Sequence, residues 1–315
     1  MALDIAYSIE ADDFIDADRA YDYFWSDRIK DKTAFLCPGT NCSAKVTCAN
    51  MDKDTQDMKV VVHYRIIGKN HSSECEIDQK TPLNLIYEKN NLPSGQNPAI
   101  DDSIVDQFFL SRPESYYNEK AHDPLQDERK RKTSTASKKA LARLRETGRT
   151  SSIYSVRQIV SRYLRYQKDG SLKHRRIAIR GNDATYESFL QSIREDDLGE
   201  LSNSPLIYYG WAYINRVRAD DAYQIKFKKK LKSGEKSLTT TILIPDQLIE
   251  NYRIKKLITT RLKKVHEAAH PTAFIFVYGK PKQSKSGDYA NFHISNLDMI
   301  DISYSCPFLS QHDKV

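Results

Sequence analysis

The stretch that decides the fold of the N-terminal part reads AFLCPGTNCSAKVTC at residues 34–48 and VVVHYRIIGKNHSSEC at residues 60–75. It contains two short pairs of soft metal ligands, Cys37 with Cys42 and His71 with Cys75. Each pair lies on a turn, and a strand-like segment, residues 58–67, separates the two turns. Three thiolates and one imidazole suit a closed tetrahedral site for Zn²⁺. The stretch therefore predicts a small β module with structural Zn²⁺ as its cofactor.

Two further residues of this stretch are alternative ligands. Cys48 lies six residues beyond Cys42, and His63 lies on the predicted strand, so either could replace one of the four. A catalytic zinc ion needs an open coordination position for water or substrate. Four soft ligands leave no such position, which disfavours zinc-dependent hydrolysis.

The four predicted ligands resemble those of the small bacterial zinc domain at the N-terminus of CoiA-type competence proteins. They are also similar to the ligands in the zinc-bound sheets of WRKY, GCM and FLYWCH DNA-binding domains. The resemblance covers residues 33–77 and implies a zinc-bound sheet. The chain departs from the CoiA-type pattern at Cys75, where that family usually has a second His after an aromatic residue. DNA-reading zinc sheets are usually basic, whereas residues 37–75 contain five Lys+Arg and four Asp+Glu, so we expect a structural or protein-contacting module.

Composition places the chain among globular proteins of the cytoplasm. With 315 residues, 39% of them hydrophobic, it is long enough for two domains with ordinary cores. The N-terminus is acidic where a signal peptide would be basic, and the longest apolar runs are strand-sized, so we expect no contact with membranes. Five cysteines, four of them within residues 37–75, favour metal binding in a reducing compartment over a disulfide framework.

Charge is divided unequally along the chain. Residues 1–124 contain 13 Lys+Arg against 22 Asp+Glu, a net charge of −9, whereas residues 125–315 contain 36 against 20, a net charge of +16. A polyanion is attracted to the second part and repelled by the first. We therefore expect nucleic acid as the partner of the C-terminal half and a protein as a possible partner of the acidic N-terminal half.

The pattern of apolar residues predicts an α+β protein of two domains joined by a linker. Residues 1–80 form an acidic segment with a helix at residues 11–29, followed by the zinc module. Residues 81–152 form a Pro-rich and then basic linker with a short helix at residues 101–110. Residues 153–315 form a basic α+β domain that begins with a helix (153–167), a strand (175–180) and a second helix (184–194) capped by Asp183.

The clearest architectural pattern covers residues 205–303. Alternating strands at residues 206–217, 222–231 and 237–244 precede a helix at residues 246–268, and strands at residues 273–280 and 289–303 follow. This order looks like that of a five-stranded OB-fold, in which the helix lies between the third and fourth strands. The resemblance implies a barrel that binds oligonucleotides through its middle strands and two of its loops.

The second of these strands interleaves aromatic residues with lysines, which is typical of surfaces that stack bases and neutralise phosphates. The loop at residues 279–287, which we expect to be flexible, is also rich in lysine. We therefore predict nucleic-acid contacts at Tyr223, Lys226, Phe227, Lys228, Lys229 and Lys230 of the strand and at Lys280, Lys282 and Lys285 of the loop.

Together these patterns predict a non-enzymatic protein that binds single-stranded or structured DNA or RNA and contains a structural zinc module. Two alternatives remain open. One is a protein-interaction adaptor of a mobile-element or phage-defence system. The other is a metal-dependent nuclease that uses Asp220 and Asp221 with Lys226, although Gln224 stands where a metal-binding carboxylate is expected.

Overall fold

The chain forms two compact units in a computed structural model. The first unit comprises Met1–Ile104 and Pro113–Ser151, and the second comprises Val105–Arg112 and Ser152–Val315. The structure describes residues 2–3, 5–39, 42–58, 60–68, 71, 75, 105–112, 116, 152–168, 170–179, 182–217, 219 and 221–308. Both units mix strands and helices, as an α+β protein does. Val105–Arg112, which the sequence pattern assigns to the linker, belongs to the second unit.

The first unit is built on one sheet of six short strands. They are β1 (Ala2–Leu3), β2 (Ile5–Ser8), β3 (Asp13–Asp16), β4 (Phe35–Leu36), β5 (Lys45–Ala49) and β6 (His63–Ile66). Their order in the sheet is β1-β6-β5-β4-β2-β3. The buried pairs Phe35 with Val46 and Cys48 with Tyr64 are cross-strand neighbours at its centre. The sheet therefore holds the chain segments that precede β5 and follow β6 close together.

The helix of the first unit, α1 (Ala17–Trp25), is shorter than the predicted helix at residues 11–29. Asp16 caps it by accepting a hydrogen bond from the Arg19 N–H (2.7 Å). The preceding residues pair as the hairpin β2–β3, whose turn contains Asp12 with φ at 47°. The sequence pattern did not predict strands β2 and β3, because the alternation in each covers only four residues.

Several acidic residues of the first unit serve its local structure. Glu10 accepts hydrogen bonds from the backbone N–H groups of Lys30 and Asp31 (both 3.0 Å). Asp22 is buried and accepts a hydrogen bond from the Tyr116 hydroxyl (2.9 Å). The density of acids therefore reflects caps and turns as well as surface charge.

The second unit begins with a sheet of four strands, β7 (Val105–Phe108), β8 (Ser152–Ile153), β9 (Arg176–Ile179) and β10 (Asn182–Thr185), in the order β10-β9-β7-β8. The predicted helix at residues 101–110 is therefore wrong for 105–108.

Helix α2 (Val156–Lys168) agrees with prediction within a few residues. The predicted helix at residues 184–194 is also wrong: strand β10 leads into a single turn, α3 (Tyr186–Phe189), which Thr185 rather than Asp183 caps.

The largest sheet contains most of the remaining elements. Its strands are β11 (Leu190–Ser192), β12 (Leu206–Val217), β13 (Ala222–Phe227), β14 (Leu231–Ser233), β15 (Lys236–Pro245), β16 (Thr272–Gly279), β17 (Lys282–Gln283), β18 (Tyr289–Phe292) and β19 (Ile300–Ser303). The main path runs β17-β18-β15-β13-β12-β16-β19, with β11 beside β12 and β14 beside β15. Two helices, α4 (Asp246–Glu250) and α5 (Lys255–His266), replace the single predicted helix.

This sheet is open, so the predicted barrel is not confirmed. A barrel would need one continuous last strand to pair with both β15 and β16. The predicted strand at residues 289–303 instead divides into β18, which pairs with β15 in parallel, and β19, which pairs with β16. A short 3-10 turn, Leu297–Met299, lies between the two halves. Each half therefore extends a different edge of the sheet.

Apolar cores lie on both sides of this sheet. On one side, Ile258, Leu262 and Val265 of α5 pack with buried residues of β12, β13, β15, β16, β18 and β19. On the other side, α2 packs over β16 and the first part of β12. Strand β16 is therefore buried on both faces, which explains its uninterrupted apolar sequence.

None of the helices in the described ranges combines the length and the hydropathy that crossing a bilayer requires.

Candidate metal centre and nucleic-acid interface

The four predicted metal ligands converge on one point in the first unit. The ligand atoms of Cys37, Cys42, His71 and Cys75 all lie within 4.8 Å of one another. The Nδ1 atom of His71 is 3.2 Å from the Cys37 sulfur, 3.5 Å from the Cys42 sulfur and 3.3 Å from the Cys75 sulfur. The sulfurs of Cys37 and Cys75 are 3.7 Å apart. The cluster could therefore hold one metal ion.

These distances fit a tetrahedral ion with zinc-like bond lengths. With metal–sulfur bonds of about 2.3 Å and metal–nitrogen bonds of about 2.0 Å, a regular tetrahedron separates two sulfurs by about 3.8 Å and a sulfur from a nitrogen by about 3.5 Å. Three thiolates and one imidazole would occupy all four positions of such a tetrahedron. A metal ion held by these four side chains would join the chain segments on which they lie.

The sheet of the first unit positions these ligands from two sides. Cys37 follows β4, and its N–H donates to the Ala44 carbonyl (2.9 Å), which closes the turn that includes Cys42. His71 and Cys75 follow β6, the neighbour of β5. Cys48 lies inside β5, facing Tyr64 across the sheet, and therefore lies outside the cluster.

The other alternative ligand, His63, also lies outside the cluster, and its Nδ1 is 2.8 Å from the Val61 carbonyl oxygen. Burial raises the pKa of the Cys37 thiol, whereas a hydrogen bond from the Gly39 N–H opposes the shift. A divalent cation stabilises thiolates by coordinating them directly. Nε2 of His71 is buried and lacks a hydrogen-bond partner among the described residues, whereas its Nδ1 faces the three sulfurs.

In the second unit, one side of the large sheet bears several exposed side chains beyond the area that α2 covers, as far as the described residues show. Cross-strand pairing and alternation place a set of side chains on this side, opposite the α5 core. We call this set the open face: Trp211, Tyr213, Asn215, Gln224, Lys226, Lys228, Thr239, Thr241, Leu243, Lys282, Tyr289 and Asn291. None of these side chains is acidic.

Aromatic and cationic groups alternate on the open face. Trp211 is 37% exposed and Tyr213 is 46% exposed, both high values for aromatic residues in strands. The Lys228 ammonium lies 5.1 Å from the centre of the Tyr213 ring and 5.6 Å from that of Trp211. Lys226 is the cross-strand partner of Tyr213. This combination can stack bases and neutralise phosphates on one surface.

Two predicted nucleic-acid contacts lie on the opposite side of β13. Phe227 is 3% exposed within the α5 core and is therefore not available to stack on a base. Tyr223 packs against the same core, and the guanidinium of Arg216 lies 4.8 Å from the centre of its ring. Alternation along β13 separates these aromatics from Lys226. The exposed aromatics beside Lys226 and Lys228 instead come from the neighbouring strand β12, at Trp211 and Tyr213.

The remaining predicted lysines surround the open face. Lys229 and Lys230 are exposed just beyond β13, and Lys285 is exposed in the turn between β17 and β18. Lys280 is half-buried and donates to the Asn203 side-chain oxygen (3.3 Å). Lys282 is a cross-strand partner of Asn291 in β18. The predicted flexible loop thus contains a short strand, which fixes Lys282 on the open face.

Trp211 and Tyr213 are not among the contacts that the sequence pattern predicts. The sequence did contain a pattern that could have indicated them. Tyr209, Trp211 and Tyr213 alternate with the apolar residues Ala212 and Ile214 along β12. An aromatic residue at every second position fits a strand buried on both faces equally well. The packing of the fold distinguishes the two cases: Tyr209 lies in the apolar cluster on this side, with its ring centre 4.9 Å from that of Phe308, whereas Trp211 and Tyr213 are exposed.

Of the residues named in the nuclease hypothesis, the structure describes Asp221, Gln224 and Lys226. Asp220 lies outside the described residues, and Asp221 occupies a tight turn with φ at 42°. The Asp221 carbonyl accepts a hydrogen bond from the Asp246 N–H (2.9 Å). Gln224 lies on the open face, where its amide adds a neutral polar group.

Comparison with protein-family models gives no match. Searches of the curated proteins and of the solved structures give none either. The resemblances to CoiA-type and WRKY, GCM and FLYWCH zinc sheets, and to an OB-fold, are therefore not confirmed.

Proposed function

We propose that this protein binds single-stranded nucleic acid on the open face of its second unit. The observation that carries the proposal is the pair Trp211 and Tyr213, which are exposed on one strand with a lysine ammonium beside both rings. Exposed aromatic residues next to lysines on an antiparallel sheet provide stacking together with phosphate neutralisation. Binding of this kind requires no catalytic group.

Spacing along β12 favours a single strand over a duplex. Trp211 and Tyr213 are two residues apart, which corresponds to about 6.7 Å along a strand. Bases of a duplex are stacked at about 3.4 Å along each strand. Successive bases can therefore occupy the two rings only when the nucleic acid is unstacked and extended.

The lysines supply the electrostatic part of the interaction. Lys226, Lys228 and Lys282 lie on the open face, and no acid within this set offsets them. Each phosphate that a lysine neutralises releases a counterion, so binding weakens as salt concentration increases.

The first unit, in this proposal, is held together by structural Zn²⁺ bound to Cys37, Cys42, His71 and Cys75. The ligand distances and the donor set of three thiolates and one imidazole support zinc over harder cations. Such a module is suited to stabilising the acidic unit or to contacting a protein.

The finer architectural proposal is an OB-like binding surface. Strands β12, β13 and β15 form the meander, α5 follows them, and β16 and β18 come after the helix. The open face lies on the meander strands, which is where OB-folds bind oligonucleotides. A barrel interrupted between β18 and β19 still presents this face.

Fluorescence of Trp211 tests the proposal directly. The chain has two tryptophans, Trp25 in α1 and Trp211 on the open face. In the Trp25→Phe variant, titration with a ten-nucleotide single strand is expected to quench Trp211. Tyr213→Ala in that background should weaken binding by about 5- to 150-fold, because stacking contributes about 1–3 kcal/mol per base.

Charge-matched variants separate specific contacts from general electrostatics. Lys226→Ala with Lys228→Ala should reduce the slope of log affinity against log salt by about 1.4, since each phosphate contact on a single strand contributes about 0.7. Lys30→Ala with Lys53→Ala, at exposed positions of the first unit, removes the same charge and should leave the slope unchanged. Absence of Trp211 quenching, or equal effects of the two pairs, would refute the proposal.

A further inference from the structure

We infer that the second unit has a binding site for a phosphomonoester at the C-terminal end of α2, formed by Arg165 and Arg175. Their guanidinium carbons lie 5.2 Å and 5.1 Å from the ring centre of the same side chain, Tyr166. Tyr166 is 1% exposed, so the core fixes the position of this ring. The inference does not depend on the proposed function, since none of these residues belongs to the open face.

Neither arginine forms an ion pair with a carboxylate among the residues that the structure describes. Arg165 donates a long hydrogen bond to the Tyr166 hydroxyl (3.5 Å), and Arg175 donates one to the Ser171 hydroxyl (3.4 Å). A guanidinium group has five N–H donors, so most of them remain available to a ligand. Other arginines of this unit are instead paired with aspartates: Arg112, Arg162, Arg176, Arg216 and Arg261.

The turn after α2 positions Arg175 and uses backbone groups to end the helix. The N–H groups of Gly170 and Ser171 donate to the carbonyls of Gln167 (3.3 Å) and Tyr166 (2.8 Å). Gly170 has φ at 75°, the left-handed conformation that often ends a helix. Ser171 is buried, and its carbonyl accepts a hydrogen bond from the Arg175 N–H (3.1 Å). These two carbonyls of the helix end are therefore satisfied without either guanidinium group.

The separation of the two guanidinium groups suits a phosphate between them. Because both carbons lie about 5 Å from one ring centre, they are at most about 10 Å apart. A phosphate that accepts charge-assisted hydrogen bonds of about 2.8 Å from two guanidinium groups joins carbons about 8 Å apart. Two neighbouring cations without carboxylate partners repel each other, and a bound anion would offset that repulsion.

Charge and burial narrow the class of ligand. Residues 165–176 contain five Lys+Arg and one Asp, which favours an anion. A phosphomonoester has three terminal oxygens and a charge near −2, and so can engage two arginine forks, whereas a diester has two such oxygens and one charge. Burial of Tyr166 leaves its ring inaccessible to a base. The site therefore recognises the phosphate group itself.

Calorimetric titration of the full chain with inorganic phosphate at low salt tests the inference, and we expect one phosphate per chain. Arg175→Ala should weaken binding by about 10- to 150-fold, because charge-assisted hydrogen bonds are lost. Arg165→Lys with Arg175→Lys keeps the charge but loses the planar forks, and should weaken binding at least about tenfold. Lys255→Ala with Lys263→Ala, at exposed positions of α5, is the matched control for charge and should leave the affinity unchanged.

Two further titrations identify the source of the phosphate. If the site takes the end of a nucleic acid, a ten-nucleotide strand with a 5′-phosphate will bind more tightly than the same strand with a 5′-hydroxyl, and Arg175→Ala will remove the difference. If it takes a small phosphomonoester, methyl phosphate will bind like inorganic phosphate while the two strands bind equally. Absence of saturable phosphate binding, or equal weakening in the arginine and lysine variants, would overturn the inference whether or not the open face binds a strand.

Discussion

At the scale of single residues, Tyr208 shows that adjacent tyrosines of one strand lie on opposite sides of the sheet. It neighbours Tyr209 on β12 but faces the α5 core, where it is 1% exposed and packs against Phe292 with ring centres 5.3 Å apart. Its hydroxyl lacks a hydrogen-bond partner among the described residues. Burial, with a smaller contribution from Asp196, raises the pKa of Tyr208 to about 12.

We predict that Tyr208→Phe stabilises the second unit by about 1 kcal/mol, because it removes a buried hydroxyl without a partner. The folded-state pKa lies above the ordinary value near 10, so in the natural chain stability falls as pH increases from about 10 to 12. The variant should lose less stability over that range. Urea midpoints at pH 7 and pH 11 measure both effects, and a lower midpoint for the variant at pH 7 would contradict the first.

At the scale of elements, α5 is joined to β19 by a buried ion pair. The guanidinium of Arg261 donates to the Asp301 carboxylate (2.7 Å) and to the Ile302 carbonyl (3.1 Å). The side chains are 2% and 7% exposed. This pair therefore connects the helix to β19, a strand of four residues at the edge of the sheet.

Removing one partner should cost more stability than removing both. Arg261→Met leaves the Asp301 carboxylate buried without its guanidinium, and we expect a loss of about 3–5 kcal/mol. The double variant Arg261→Met, Asp301→Leu should recover most of that loss, because no buried charge remains. Urea unfolding followed by circular dichroism gives both values. Equal destabilisation in the single and double variants would show that the pair matters through its hydrogen bonds and not its charge.

At the scale of the whole molecule, each of the two units has its own means of stabilisation. The first joins segments separated by 38 residues through the Cys37 to Cys75 cluster. The second relies on two apolar cores on either side of a sheet. Because a ligand cluster joins the segments of one unit and apolar cores stabilise the other, we expect the two to unfold separately.

Metal removal should therefore unfold the first unit alone. Dialysis against a strong chelator with reductant is expected to shift the emission of Trp25 in the Trp211→Phe variant, because unfolding exposes its ring to water. Emission of Trp211 in the Trp25→Phe variant should not change. Cys75→Ser should reproduce the effect without chelator, whereas Cys306→Ser, outside the cluster, should not. Simultaneous changes in both tryptophans would indicate one cooperative unit.

The sequence by itself determined the four ligands of the cluster and the boundaries of β12, because both depend on local pattern. Ligand spacing on turns and alternation over twelve residues are properties of the chain alone. Short strands such as β2, β3 and β7 gave too few residues of alternation to be recognised.

Only the tertiary structure decided which side of each strand is covered and whether the sheet closes. Alternation along a strand assigns its side chains to two faces but does not show which face is packed. The sequence pattern therefore could not distinguish the buried Phe227 from an exposed aromatic residue. The division of the last strand into β18 and β19 depends on a turn whose two sides pair with distant strands. Those pairings are contacts between residues far apart in sequence, and they place Trp211 and Tyr213 on the open face.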